Sequence, residues 1–266
     1  MSADRRQTSA LRVLSPRTHA RARLICFPHA GGAAGAYRGW SLDAPWDIEV
    51  CAVQYPGRGD RFDEPAATDI ESLLDDLVPA LTQVCTGAES ATTVLFGHSM
   101  GAAVAYEAAR RLAVSGGRPA ALVVSGQPAP ERTRGGGTLH RATDGELLAD
   151  LKRLGGTARD VMDNSALLGA LLPAIRADYR LIETYRPLPS APLDIPVTVL
   201  YADDDPEITA DEAAAWSGVT TGACEVEVFT GGHFYLEARR ALVLPRVFRT
   251  VRAALPATAT AWPSTP

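Results

Sequence analysis

Short apolar runs alternate with longer segments of helical periodicity along most of the chain. Six runs of five to seven residues are predicted to be strands: 23–27, 49–55, 92–96, 121–125, 197–201 and 224–229. Most of these runs are apolar throughout, a pattern typical of parallel strands that are buried on both faces. The segments between them have apolar residues at helical spacing. This alternation predicts a doubly wound α/β fold, in which active sites lie beyond the carboxyl ends of the strands.

The alternation stops between about residues 127 and 192, where only helical patterns occur. Thr143 and Glu146 have the spacing of a capping box, and leucines at helical spacing follow them. A second apolar helical pattern covers residues 165–185, with Pro173 as a predicted bend. We expect a helical insertion between two strands. It forms a small subdomain with its own core or a lid whose inner face contacts an apolar substrate, and both interpretations are kept because a lid also needs a core.

Composition and charge narrow the function classes. The chain has 266 residues, of which 46% are hydrophobic and 21% are charged, as is usual for a soluble globular protein with a substantial core. A formal net charge of −5 argues against nucleic-acid binding. No apolar run approaches the roughly 20 residues that span a bilayer. The four cysteines are scattered without a C-x-x-C pair, which predicts reduced thiols in a cytoplasmic protein.

The two ends of the chain differ from the middle. Residues 1–22 are rich in arginine and poor in acidic residues, as transit peptides are, but they lack clear apolar periodicity and are predicted to be a flexible leader. They contain no apolar segment of the kind found in secretion signals. Residues 253–266 are rich in proline, threonine and alanine and are predicted to be a disordered tail. A single domain is therefore expected over residues 23–252.

The pentapeptide GHSMG, at residues 97–101, lies between a predicted strand and a predicted helix. In a nucleophile elbow, the serine of G-x-S-x-G occupies a strained turn, and the glycines avoid collisions with neighbouring segments. The Ser99 hydroxyl would then be exposed at a helix N-terminus, which favours negative charge. A serine alone is unreactive, so the prediction also requires a base and an acid that orients the base.

His233 is the predicted base. It lies in the loop TGGHFYL after the last predicted strand, where two glycines allow the loop to curl over the strand end. The side chain of His98 is expected to project away from the adjacent Ser99 and to serve packing. The remaining histidines are His19 in the leader, His29 after the first strand and His140 in the insertion.

The predicted acid belongs to three consecutive aspartates after the strand at 197–201. Asp205 is preferred because Pro206 fixes a turn directly after it, while Asp203 and Asp204 remain alternatives. The order serine, aspartate, histidine along the chain is that of α/β-hydrolases, and it differs from the order in chymotrypsin and subtilisin folds.

Two backbone N–H groups are the expected oxyanion donors. One belongs to Met100, directly after the nucleophile. The other belongs to the loop FPHAGGAAGAY at 27–37, in which Ala30 is the preferred donor. This loop lacks both the G-x-G-x-x-G spacing and the lysine of phosphate-binding loops. His29 is expected to hold the loop by side-chain hydrogen bonds.

Several longer segments resemble the type II thioesterases of polyketide and nonribosomal peptide pathways. They extend from about Leu24 to Leu236 and are FPHAGG, VQYPGRGDRFDEP, FGHSMGA, LPAIRADYRLIETYRP, PVTVLYADDDPEITADEAAAW and FTGGHFYL. The resemblance implies an α/β-hydrolase fold with a mostly parallel central sheet, flanking helices and a helical lid insertion. It also implies the catalytic residues Ser99, Asp205 and His233 and the oxyanion donors Ala30 and Met100.

By this resemblance, the chain is expected to be a stand-alone editing thioesterase. It would remove acyl groups from the phosphopantetheine arm of acyl or peptidyl carrier protein domains. No cofactor, metal, nucleic acid or membrane is implied, and a cytoplasmic monomer is expected. Two positions depart from the family pattern: Ala202 stands where glycine is usual, three positions before the acid, and Gln127 stands where arginine is common.

Two rival hypotheses remain. An ester, lactone or peptide hydrolase, or an acyltransferase, would use the same triad, whereas a non-catalytic module that binds carrier proteins would not need it. Carrier proteins are typically acidic, so docking on this negatively charged chain requires a local basic or apolar patch. Arg132, Arg134 and Arg141, near the start of the insertion, are candidates for such a patch, although an ordinary solvated surface is the preferred interpretation of each.

Overall fold

The central element of the fold is a seven-stranded sheet. The computed structural model describes residues 10–86, 91–133, 136–156 and 164–256. The strands are β1 (Leu11–Val13), β2 (Ala22–Phe27), β3 (Ile48–Val53), β4 (Thr92–His98), β5 (Ala121–Ser125), β6 (Val197–Ala202) and β7 (Cys224–Phe229). Their order in the sheet is β1-β3-β2-β4-β5-β6-β7. All neighbours are parallel except β1 and β3.

The six predicted strands are confirmed, with ends within two residues of the predicted ends. Strands β2 to β5 are almost entirely buried, which agrees with their continuous apolar character. The edge strand β7 is mostly exposed or half-buried, and its sequence accordingly alternates glutamate with valine.

The strand β1 corrects the prediction of a flexible leader for residues 10–22. Leu11, Arg12 and Val13 pair with β3 in antiparallel register, and Leu11 is buried. Arg12 also forms an ion pair with Asp60, at 2.5 Å. Three residues are too few to display a period, so the sequence pattern could not indicate a strand whose partner is the free edge of β3. The predicted disordered tail begins too early, because Ala253 still belongs to the last helix and Ala254 and Leu255 pack against the core. Residues 1–9 of the predicted leader and residues 257–266 of the predicted tail lie outside the described residues.

Helices cover both faces of the sheet. They are α1 (Arg38–Asp43), α2 (Ile70–Thr86), α3 (Met100–Val114), α4 (Asp144–Leu154), α5 (Ser165–Thr184), α6 (Ala210–Ala214), α7 (Tyr235–Ala238) and α8 (Arg240–Ala253). Helices α2 and α3 bury their apolar sides in the core on one face, and α1 and α8 do so on the other. Each fully buried leucine in these cores stabilises the fold by roughly 1.5–3 kcal/mol. The structure is thus a three-layer α/β/α sandwich, as the pattern predicted.

The insertion between β5 and β6 contributes α4 and α5 and, in the part of it that the structure describes, no strand. The predicted capping box is present at the start of α4: Thr143 Oγ1 accepts the Glu146 N–H, and Glu146 accepts the Thr143 N–H at 2.8 Å. Gly155, with a φ of 82°, ends the helix. Pro173 lies inside α5 without ending it.

The two insertion helices pack on each other and are attached to the sheet layers at different points. A small separate core joins Leu147 and Leu151 of α4 to Ile175 and Tyr179 of α5. After α5, the Tyr185 hydroxyl donates to Glu107 of α3 at 2.5 Å in a buried contact. Helix α4 is joined to the loop after β6 by an exposed ion pair of Arg153 with Glu207, at 2.8 Å.

Candidate active site

The predicted site residues lie at the carboxyl edge of the sheet, because parallel strands place their following loops on the same side. A cavity of about 290 Å³ opens there. Its lining includes Ser99, His233, Ala30 and Met100. Another groove, of about 790 Å³ between α2, α3 and the residues after α5, contains none of these residues.

Ser99 occupies the turn between β4 and α3. Its φ of 53° and ψ of −126° make it the only residue other than glycine with a positive φ in the described part of the chain. Such a conformation costs of the order of 1–3 kcal/mol and persists where surrounding contacts enforce it. One such contact is the Ser99 N–H, which donates to the Ser125 carbonyl on β5 at 2.8 Å.

Gly97 and Gly101 are required by the close packing of the elbow. A methyl group on Gly97 would collide with the Gly101 carbonyl and lie 2.6 Å from the Ala102 Cα. A methyl group on Gly101 would collide with the Phe27 carbonyl and lie 2.6 Å from the carbonyl oxygen of Pro28. These two glycines therefore permit the turn and let α3 approach the loop that carries Ala30.

His233 and Asp205 form a buried pair. The Nδ1 of His233 lies 2.9 Å from Asp205 Oδ2 and 3.0 Å from Oδ1, and only 3% of His233 and 7% of Asp205 are exposed. The Glu207 N–H also donates to Asp205, at 2.9 Å. A carboxylate at Nδ1 fixes the ring orientation and leaves Nε2 as the acceptor.

Asp203 and Asp204, the two alternatives for the acid, are both exposed and make other contacts. The Asp203 carboxylate accepts the Gly231 N–H at 3.0 Å. The Asp204 N–H donates to the Gly231 carbonyl at 3.0 Å. Both thereby hold the loop after β6 against the loop after β7, and of the three aspartates only Asp205 contacts the His233 ring.

Ser99 and His233 line the same cavity but make no hydrogen bond with each other in the described part of the structure. Catalytic hydrogen bonds are often long before substrate binds and shorten in the reacting complex. The arrangement is therefore compatible with proton transfer from Ser99 to His233.

The N–H groups of Ala30 and Met100 donate to no acceptor among the residues that the structure describes. Both residues line the cavity that contains Ser99. These two unsatisfied donors, one in the loop after β2 and one at the first residue of α3, can stabilise the negative charge that forms on a carbonyl oxygen when Ser99 attacks its carbon.

The described hydrogen bond of the His98 side chain is made with Ser125 and not with Ser99. His98 Nδ1 lies 3.0 Å from Ser125 Oγ, which lies 2.8 Å from the Tyr235 hydroxyl. Burial, together with the nearby His233 and His29, holds the pKa of His98 well below its ordinary value of 6.5. A neutral His98 therefore packs beside His233, with ring centroids 4.9 Å apart.

Sequence reasoning missed Ser125 and Tyr235 as partners of His98. Ser125 ends β5, and Tyr235 follows His233 by two residues, so each lies near a predicted site element. Their contact joins positions 110 residues apart. No local pattern indicates that these two hydroxyl groups meet.

His29 packs in the same cluster, with its ring centroid 4.7 Å from that of Phe234. Burial, followed by the charges of His233 and Arg58, lowers the pKa of His29 from 6.5 to about 4. The predicted role of its side chain in holding the loop by hydrogen bonds has no counterpart among the described contacts, where the ring makes aromatic contacts instead. The backbone carbonyl of His29 does brace the loop, by accepting the Gly32 N–H at 2.9 Å.

The two departures from the family pattern leave the site intact. Ala202 is the last residue of β6, is buried, and is not in the left-handed region, so its methyl group causes no backbone strain. Gln127 lines the cavity, and its carbonyl accepts the Trp216 Nε1–H at 2.8 Å.

Among the described residues, no group of three or more histidine, cysteine, aspartate or glutamate side chains could hold a metal ion. Within the same ranges, no helix combines the length and apolar character needed to cross a bilayer. All four cysteines are free thiols, and Cys26 and Cys51 are buried.

Comparison with known proteins identifies the family. The family model for the thioesterase domain matches residues 22–255, which is most of the chain. The chain belongs to the thioesterase family. Thioesterases are hydrolases, and the mostly parallel sheet with its flanking helices agrees with the α/β-hydrolase architecture expected for this one.

Curated thioesterases of antibiotic pathways are similar to this thioesterase. It is 44% identical over 214 residues to a "Probable cadicidin biosynthesis thioesterase" of Streptomyces griseus, covering 80% of this chain and 58% of that protein. The chain thus spans less than two thirds of that relative's length. It is 39% identical over 227 residues to "Thioesterase PikA5" of Streptomyces venezuelae, covering 85% of this chain and 79% of that protein.

A solved structure with the same architecture is that of the type II thioesterase BorB from the borrelidin biosynthetic cluster. The two chains are 43% identical and superpose with a TM-score of 0.84, covering 91% of this chain and 98% of BorB. The resemblance to type II thioesterases of polyketide and nonribosomal peptide pathways is therefore confirmed.

Proposed function

We propose that this thioesterase hydrolyses acyl thioesters on the phosphopantetheine arm of acyl or peptidyl carrier proteins, using Ser99, His233 and Asp205. One observation carries the proposal: the strained Ser99 and His233 line the same cavity, and the buried Asp205 carboxylate orients the His233 ring. The similarity to thioesterases of antibiotic pathways supports the choice of carrier-bound thioesters over other acyl compounds.

In the first half of the reaction, His233 Nε2 accepts the hydroxyl proton as Ser99 Oγ bonds to the thioester carbonyl carbon. The resulting oxyanion accepts hydrogen bonds from the N–H groups of Ala30 and Met100. The carbon–sulfur bond then breaks, and the sulfur leaves as a thiol with the proton from His233. The acyl group remains on Ser99 as an ester.

In the second half, His233 removes a proton from water as the water oxygen bonds to the acyl carbon. A second oxyanion forms in the same position and collapses, releasing the carboxylic acid and returning the proton to Ser99. The negative charge of Asp205 stabilises the histidinium ion in both halves and keeps the proton of neutral His233 on Nδ1. These steps require no cofactor.

The insertion is proposed to act as a lid over the acyl group. Leu151 of α4 and Tyr179 and Ile182 of α5 line the cavity that also contains Ser99. Because two of these residues also belong to the small core of the insertion, the interpretations as a subdomain and as a lid are compatible.

The partner surface, the cytoplasmic location and the monomeric state remain predictions. Arg132 and Arg141 are exposed, and Arg141 donates to His140 Nε2 at 3.1 Å. Arg134 lies outside the described residues. These arginines would attract an acidic carrier protein locally, although the whole chain carries a net charge of −5.

The decisive experiment compares wild-type protein with Ser99→Ala on a panel of acyl groups loaded on a carrier protein and on matching simple esters. We expect wild-type turnover of carrier thioesters to exceed that of the esters, and the variant to lose at least about 10³-fold in rate. Intact-mass measurement of quenched reactions should detect an acyl group on the wild-type chain only.

Each other outcome selects a rival. Equal or faster turnover of the esters would favour a general hydrolase or acyltransferase. Wild-type rates in Ser99→Ala would contradict the serine mechanism. Carrier binding by a wild-type protein that hydrolyses neither the carrier thioesters nor the esters would favour a non-catalytic binding module.

A further inference from the structure

A buried ion pair lies beside the loop that carries Ala30. Arg58, after β3, donates from Nη1 and Nη2 to the two carboxylate oxygens of Asp178 on α5, at 2.5 and 2.7 Å. About 3% of each residue is exposed. Neither residue lines the cavity, so the pair is not part of the reacting group of residues.

The Asp178 carboxylate also accepts the Gly31 N–H, at 2.7 Å. Gly31 directly follows Ala30 and has a φ of 79°, a conformation that a side chain would strain. Ile175, one turn before Asp178 on α5, fills the space where a Gly31 side chain would lie. Helix α5 therefore fixes the peptide next to the proposed oxyanion donor.

Arg58 and its neighbour Tyr55 hold the same loop from the other side. The Nη1 of Arg58 donates to the Gly32 carbonyl at 3.2 Å. The Tyr55 hydroxyl donates to the Pro28 carbonyl at 3.1 Å, and the Arg58 guanidinium carbon lies 5.4 Å from the centre of the Tyr55 ring. The residues before and after Ala30 are thus both tied to the segment after β3.

These contacts are poorly explained by stability alone. Burying two opposite charges costs about as much in lost hydration as their attraction returns, and apolar replacements are often equally stable. The Nε of Arg58 is buried with no hydrogen-bond partner among the described residues, which adds to the free-energy cost of burying the pair. What the pair does provide is a fixed direction for the Gly31 N–H and, through it, for the adjacent Ala30 peptide.

We propose that Arg58 and Asp178 are positioning residues that set the direction of the Ala30 N–H and thereby the strength of the oxyanion site. The inference rests on the proposed serine chemistry and adds that helix α5 of the insertion supplies part of the geometry. Loss of the pair is expected to weaken binding of the transition state more than binding of the substrate.

The first test is Asp178→Asn, which keeps an oxygen for the Gly31 N–H but removes the charge that holds Arg58. Steady-state hydrolysis of a small aryl ester is measured together with inhibition by an alkyl boronic acid, which forms a tetrahedral adduct with the serine. We expect kcat to fall by about 10- to 100-fold with KM within about threefold, and the boronate inhibition constant to rise by a similar factor. Unchanged kcat per folded molecule and unchanged boronate affinity would overturn the proposal.

Because an unpaired buried Arg58 could prevent folding, a second variant removes both charges. Arg58→Met with Asp178→Leu leaves no buried charge, and its stability should be close to that of wild type. The proposal requires that this double variant still lose about 10-fold or more in kcat, since the Gly31 N–H has no acceptor. A folded double variant with wild-type kcat would contradict it.

The matched control is Arg23→Met. Arg23 and Glu49 form another buried ion pair, at 3.0 Å, near the opposite ends of β2 and β3. This variant should lose thermal stability without changing kcat, KM or boronate affinity per folded molecule. An equal kcat loss in Arg23→Met would mean that any buried ion pair has the same effect, and would overturn a specific positioning role.

The ester and boronate measurements also separate this inference from the proposed function. A wild-type protein that hydrolyses the ester but no carrier thioester would contradict the proposed substrate and leave the positioning test valid. A wild-type protein that neither hydrolyses the ester nor binds the boronate would contradict the serine mechanism itself.

Discussion

The two ends of the central sheet use buried polar groups in different ways. At the amino end, Arg23 and Glu49 face each other across β2 and β3, and Glu49 also accepts the Arg17 N–H at 3.1 Å. At the carboxyl end, Ser99 is strained, and the N–H groups of Ala30 and Met100 have no acceptor in the described structure. The Arg23–Glu49 pair is satisfied within the protein, whereas the two N–H donors at the carboxyl end retain capacity for a ligand.

This difference separates residues that contribute to stability from residues that contribute to activity. Polar groups that are paired within the protein gain nothing more from a substrate, whereas unpaired donors and a strained nucleophile gain when a transition state supplies charge. Substitutions at the amino end should therefore change stability alone. Substitutions at the carboxyl end should change activity, and some of them should raise the stability of the fold.

The largest expected effect is on activity at the carboxyl end. Asp205→Asn should lower kcat/KM by about 10³- to 10⁴-fold, because the amide no longer stabilises a charged His233 and favours the wrong tautomer. Steady-state hydrolysis of the preferred thioester measures this effect, with circular dichroism to verify folding.

Two controls accompany Asp205→Asn. The exposed Asp204→Asn should stay within about twofold of wild type, since the described contacts of Asp204 are made by its backbone. Glu49→Gln should lower the free energy of unfolding by about 3 kcal/mol while leaving the activity per folded molecule unchanged. A large activity loss in Asp204→Asn would contradict the assignment of Asp205 as the acid.

A methyl group at the elbow should destabilise the fold. Gly101→Ala is expected to lower the free energy of unfolding by about 3 kcal/mol, since the new carbon would collide with backbone carbonyls and not with flexible side chains. Gly169→Ala in α5, where no atom lies within 4 Å of the added carbon, should raise it by about 0.5–1 kcal/mol. Urea unfolding of both variants measures the difference, and similar shifts would contradict the tight packing of the elbow.

Acid should weaken the fold through the histidine cluster. The pKa of His29 is about 4 in the folded protein and 6.5 without the fold, so the unfolded state binds more protons between these values. Stability should be fully present above about pH 6.5, decline as the pH falls, and level off below about pH 4. At pH 5 the contribution of His29 amounts to about 2 kcal/mol of lost stability.

The variant His29→Asn isolates this contribution. Its free energy of unfolding should vary less with pH than that of wild type between pH 7.5 and 5. An unchanged pH dependence in the variant would contradict a lowered pKa of His29.

The smallest expected effect is a gain of stability at the nucleophile. Ser99→Gly should abolish hydrolysis and raise the free energy of unfolding by about 1 kcal/mol, because glycine accepts a positive φ without strain. Ser72→Gly in the first turn of α2, where the backbone is helical, should instead lower it by about 0.5 kcal/mol. Destabilisation by Ser99→Gly would mean that the elbow stores no strain.

The frame of the fold and the residues at its strand ends could be predicted because both follow from local pattern. Buried parallel strands produce continuous apolar runs, and the loops that follow them contained Ser99, Asp205 and His233 in chain order. The choice of Asp205 over its neighbours depended on Pro206 and on the family resemblance. The structure agrees with it to the extent that only Asp205 of the three contacts the His233 ring.

Contacts between distant loops could not be predicted in the same way. Arg58 and Asp178 lie within two segments that carried the family resemblance, yet 120 residues separate them and no period relates them. The strand β1 depended on the free edge of β3, and the hydroxyl pair of Ser125 and Tyr235 depended on the packing of two loops. Partners of buried polar groups are set by tertiary structure, which a local pattern does not encode.

The attachment of the insertion has a consequence for substrate choice. Helix α5 and the residue directly after it are held by two buried contacts, of Asp178 with Arg58 and of Tyr185 with Glu107. Helix α4 contacts the loop after β6 through an exposed ion pair. The insertion therefore has one helix with buried attachments to the rest of the fold and one helix whose attachment to the loop after β6 is exposed to solvent. Preference for acyl-chain length can then evolve through Leu154 of α4, which lines the cavity outside the small core, while any change that shifts α5 also moves the acceptor of the Gly31 N–H.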